Sequence, residues 1–84
     1  MVTTEAVDVL VAVMAPHIGD TMARSATEAH CRKLDIDAGS TLSPEQLEAL
    51  LAKLLGGLNI FLGREKAVAV VTEAREALAA QGGI

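Results

Sequence analysis

Apolar positions recur at helical spacing along most of this chain, and the period is plainest after residue 42. Ser43-Pro44-Glu45-Gln46 reads as a helix start. Serine can cap the first free amides, proline suits the first helical position, and glutamine three residues on can reach back. Leu47, Leu50, Leu51, Leu54, Leu55, Leu58, Phe61 and Leu62 then follow as an apolar stripe, which predicts a helix over 43–62. Gly56-Gly57 interrupts the composition without interrupting the stripe. Gly63 ends it, and Arg64-Glu65-Lys66 opens a helix over 64–80 whose inward face is Ala67, Val70, Val71, Ala74 and Leu78. Gln81-Gly82-Gly83 stops that helix and leaves a flexible tail at 81–84.

The first half is less regular. Thr3 or Thr4 can cap a segment over about 4–15 that is apolar all round from Val9 to Ala15. Its valines would also suit a buried strand, but no other run is long enough to pair with it, so helix is the better reading. Pro16 is expected to stop or kink it. A second helix over about 19–34 carries Met22, Ala26, His30 and Lys33 or Leu34 on one face, with Ala23 and Ala29 beside them. Residues 35–42 lack apolar periodicity and read as the one true loop.

The two halves resemble each other. A shift of 44 residues lays Ile18-Gly19 on Leu62-Gly63, Ala23 on Ala67, Leu34 on Leu78, Leu10 on Leu54 and Met14 on Leu58. Each half then reads as an apolar helix, a bulky residue before glycine, and an amphipathic helix with alanine one turn later. Glycine lets the chain turn or two backbones approach, and the alanine keeps the crossing close. The expected fold is all-α: one small antiparallel bundle of about four helices over 1–84, readable as two repeated helical hairpins.

Composition narrows the function. The chain has 84 residues, is 51% hydrophobic and contains one Phe with no Trp or Tyr. Stacking platforms and aromatic cages are thereby disfavoured. A net charge of −4 argues against binding a phosphate backbone. One cysteine excludes an internal disulfide and a cysteine-only zinc site. No apolar run reaches the roughly 18 residues of a membrane span, and the first ten residues lack the basic start of a signal peptide. A cytoplasmic setting is the simplest expectation.

Candidate chemistry is sparse. His30 and Cys31 adjoin, but neighbours on a helix point about 100° apart and are poorly placed to share a metal or a proton. His17 could join them, yet the spacing matches no ligand pattern. His30 with Arg32 and Lys33 bears on phosphotransfer, because histidine phosphotransfer domains carry His-x-x-Lys-Gly. Here the histidine-to-lysine separation matches, and Leu34 stands where glycine would be. Asp35 and Asp37 offer too few ligands for a calcium loop, with Ser40 where glycine is wanted and Gln46 where a glutamate is needed. Asp37-Ala-Gly39-Ser40-Thr-Leu42 is similar to the prosthetic-group site of acyl carrier proteins, whose Asp-Ser-Leu serine takes phosphopantetheine at a helix start. That resemblance covers about eight residues. It departs from the family pattern, since no aspartate directly precedes Ser40 and Thr41 intervenes.

What stands out is apolar surplus. A domain this short buries only about 60–65% of its unfolded-chain surface. Val7, Val9, Leu10, Val11, Val13 and Met14 cover more than one helix face, and Val68 and Ala69 widen the last stripe. The expectation is a non-catalytic protein–protein interaction or oligomerisation module, without cofactor or metal, that binds itself or another chain. The residues expected to make contacts are Val9, Val13, Phe61, Val68 and Val71. The alternatives are a carrier or phosphotransfer domain using Ser40 or His30, and a histone-like helical dimer, which the acidity counters.

Overall fold

The computed structural model describes residues 1–82. Four helices follow in chain order: α1 Thr3–Ile18, α2 Asp20–Lys33, α3 Pro44–Leu62 and α4 Arg64–Ala80. Their order and type agree with the sequence pattern, and the 9–15 segment is helix. Residues 83 and 84, half of the expected tail, lie outside the described residues. Gln81 and Gly82 still turn back on α4, their amides donating to the carbonyls of Ala77 and Ala79.

The start of α3 is built as its sequence suggests. The Gln46 amide donates to Ser43 Oγ at 3.0 Å, and the Ser43 amide donates to Gln46 Oε1 at 2.9 Å. Two amides at the helix end are thus satisfied reciprocally. Leu47, Leu50, Leu51, Leu54 and Leu58 are then buried along one stripe, while Leu55 and Leu62 are half-buried. Each fully buried leucine contributes about 1.5–3 kcal/mol relative to an exposed one, so this stripe is the spine of the core.

The glycine corners are the hinges of the fold. Gly19 joins α1 to α2 with φ 87° and ψ 151°, and Gly63 joins α3 to α4 with φ 81° and ψ 161°. Only glycine enters this region without strain. At each corner the glycine amide donates to the carbonyl four residues back, Ala15 or Asn59. Its own carbonyl then accepts from the alanine four residues on, Ala23 or Ala67, both fully buried. One residue therefore ends one helix and begins the next, and it does so alike in both halves. α1 packs on α2 and α4, and α3 packs on α4 and α2, the neighbour pattern that two hairpins related by a twofold axis produce.

Several expectations need correction. α1 runs through Pro16 to Ile18. The proline sits in the last turn and deprives only the Ala12 carbonyl of its donor; Ala12 is exposed, so water can serve that group. Neither Thr3 nor Thr4 caps α1. Val2 holds the cap position, and the Thr3 hydroxyl and amide both donate to the Ser40 carbonyl at 3.0 Å. With Leu42 donating to the Met1 carbonyl and Val2 bridged to Thr41, the loop after α2 is fastened across the start of the chain. That loop places Ile36 and Leu42 in the core.

The buried stripe of α2 also lies one residue along from the expected one. Ala23, Thr27 and Cys31 are inside, not Met22, Ala26 and His30. Thr27 tolerates full burial because its hydroxyl donates to the Ala23 carbonyl at 2.7 Å. α2 ends in a Schellman turn: the Ile36 amide donates to Cys31 and the Asp35 amide to Arg32, with Asp35 at φ 56° where glycine is usual.

Candidate functional site

Two concave regions flank α2. The first is an open groove of about 500 Å³ between the outer faces of α1 and α2, running under the loop after α2. Its walls carry Asp8, Arg24, Glu28 and Arg32, and Cys31 lies in its floor. Arg24 is tied to Asp8 at 3.2 Å, so the groove's opposite charges are partly paired. Burial, and then the charge of Glu28, push the Cys31 thiol above its ordinary pKa. A thiol held neutral in this way is a poor nucleophile. No group of three or more His, Cys, Asp or Glu side chains converges as a metal set among the described residues.

The second is a small apolar cleft of about 40 Å³ between α2 and α3. Met22, Ala26 and His30 come from α2, Leu54, Gly57, Leu58 and Phe61 from α3, and Met14 and Ile18 from α1. The α2 residues are the stripe that the phase correction turned away from the main core. Phe61 is 63% exposed and Met22 44% exposed at its rim. Ile60, beside Phe61, is 86% exposed. Phe61 was expected within the α3 apolar stripe; it lies three residues beyond Leu58, at the rim of the cleft beside Met22 of α2.

The 44-residue shift lays this cleft on the α1–α4 side of the bundle. On the opposite side of the bundle, α4 packs against α1, and there the residues equivalent to Ala26 and Gly57 are Val70 and Val13. Val70 is buried and Val13 half-buried, so that groove is filled from within the chain. The α2–α3 side has alanine and glycine at these two positions, and the larger His30 where α4 has Ala74.

His30 is half-buried, and its Nδ1 is buried with no hydrogen-bond partner. Burial first, then the charges of Lys33 and Lys53, hold its pKa below the ordinary imidazole value. Ser40, the carrier-protein candidate, donates through Oγ to the Asp37 carbonyl at 2.8 Å, and its own carbonyl holds Thr3. It sits in the loop fastening, four residues ahead of α3 rather than at its start.

Of the five residues expected to make contacts, Phe61 lines the cleft. Val68 is 46% exposed on α4, and Val9, Val13 and Val71 are half-buried against the core. Sequence reasoning missed Ile60 and Met22. Ile60 falls off the leucine stripe by one position, and that offset is the signal that could have found it.

No family model matches the chain, no curated protein matches it, and no solved structure matches its fold. No helix among the described residues is long and apolar enough to cross a membrane.

Proposed function

We propose that the protein is a non-catalytic interaction module, working in the cytoplasm, that binds a protein partner through the α2–α3 cleft and the end of α3. The observation that carries this reading is the placement of Ile60 and Phe61, adjacent and largely in water beside an unfilled apolar cleft. An aromatic side chain buries about 150–250 Å² when covered. The single aromatic residue of this chain contributes little of that to its own fold, whereas a partner covering it would gain about 25 cal/mol for each Å² removed from water. Exposed apolar groups that border a pocket in this way mark contact surfaces. In the first groove the Cys31 thiol is held neutral by burial and so offers no activated nucleophile.

The test is site-specific photo-crosslinking in producing cells, with the photoreactive residue at position 61 or, for comparison, at exposed Thr72 on α4. A discrete crosslinked species from position 61, absent from position 72, is the expected result. No discrete species from position 61, or the same species from both positions, overturns the reading.

A further inference from the structure

We infer that the partner is a second copy of this chain, docked antiparallel on α3 so that Ile60 of each copy lies over Gly56 and Gly57 of the other. The inference rests on the interaction-module reading and names its partner. Glycine inside a helix is destabilising, and two in succession need a cause. The chain itself gives none, since a methyl group built on Gly56 or Gly57 would meet no atom within 4 Å. The absent side chains make room for something outside the chain. What lies one turn along the same helix is Ile60, the most exposed large apolar residue described. A hollow at 56–57 and a protrusion at 60 on one helix are self-complementary: a twofold axis places each protrusion in the other's hollow at a single close crossing.

Polarity selects the antiparallel arrangement. The last turn of α3 carries no basic residue of its own, and a cation near its C-terminal carbonyls is favourable. Lys53 is exposed one turn before the glycines. With Ile60 opposite Gly56, an antiparallel second copy brings Lys53 to the corner at Gly63, beside the last carbonyls of α3, and does the same in reverse. Phe61 and Met22 then lie at the edge of the contact, covering the cleft in which His30 Nδ1 has no partner.

Sedimentation equilibrium of the purified chain tests this, with circular dichroism to follow the fold. The wild type is expected to dimerise in the micromolar range. Ile60→Glu and Gly56→Leu should each raise the dissociation constant at least about tenfold with helicity unchanged, while Val68→Glu on α4 leaves it within about twofold. A wild-type monomer at millimolar concentration overturns the inference, as does a dimer indifferent to both α3 changes. The crosslinking at position 61 separates the two levels of the argument. A monomer in solution that crosslinks to a chain of different mass overturns the second copy alone, and a monomer that crosslinks to nothing overturns the module as well.

Discussion

Alanine should have opposite effects at glycines of the same chain, depending on backbone angle alone. At Gly63, φ is 81° and ψ is 161°, and an added Cβ meets nothing within 4 Å, so any cost is backbone strain and not collision. Holding an L-residue in this region costs about 1–3 kcal/mol. Alanine recovers about 0.4–1 kcal/mol by restricting the unfolded chain, which leaves Gly63→Ala destabilising by about 1–2 kcal/mol. For a domain of this length each kcal/mol moves the midpoint by about 4–8 °C, so thermal unfolding should fall by about 5–15 °C. Gly19, at φ 87° and ψ 151°, should respond by a similar amount. Gly56 lies inside α3, also with open space, and there alanine should stabilise by about 0.5–1 kcal/mol. All three changes are best compared by thermal circular dichroism in an Ile60→Glu background, which removes any contribution from association. A Gly63→Ala protein as stable as its parent would refute the argument. So would a Gly19→Ala protein that is unaffected beside a damaged Gly63→Ala, because the two corners would then not be equivalent.

Other outcomes follow from the same structure. Ser43→Ala removes one half of the capping box and should cost about 1 kcal/mol in urea unfolding, with Gln46→Ala costing less. His30 has a folded pKa below its unfolded value, so the unfolded chain takes up the proton first. Stability is therefore full above about pH 7 and declines as pH falls through about 6.5, with Lys33 and Lys53 adding to the repulsion. His30→Gln should flatten that decline in unfolding curves measured from pH 7.5 to 5. Cys31→Ala deletes a buried thiol from the core and should cost about 1 kcal/mol while leaving the partner surface unchanged.

The parts of this fold that could be read from sequence are those set by neighbours in the chain. Ser43, Pro44 and Gln46 interact within one turn, so their pattern specifies the start of α3 without reference to the rest. The glycine corners were legible because the two halves could be laid on each other, and Gly19 and Gly63 share their angles. The phase of α2 was harder. Met22, Ala26 and His30 look as apolar a stripe as Ala23, Thr27 and Cys31, and only the close crossing after Gly19, which needs Ala23 inside, selects between them. The same one-residue ambiguity hid the cleft. The fastening of Thr3 to Ser40 joins residues 37 apart and leaves no local trace. Ile60 presented the opposite difficulty, because an apolar residue one position off a leucine stripe reads as part of its edge until the packing of α3 shows it exposed.

The central claim, that a second copy of the chain docks on the end of α3 and the α2–α3 cleft, is tested most directly by a concentration series of amide NMR spectra on the wild-type chain. On passing from micromolar to millimolar protein, the account predicts shifts concentrated at Gly56, Gly57, Ile60, Phe61 and Met22, with Val68 and Thr72 on α4 unmoved. Spectra that do not change with concentration, or that change first at Val68, would contradict it.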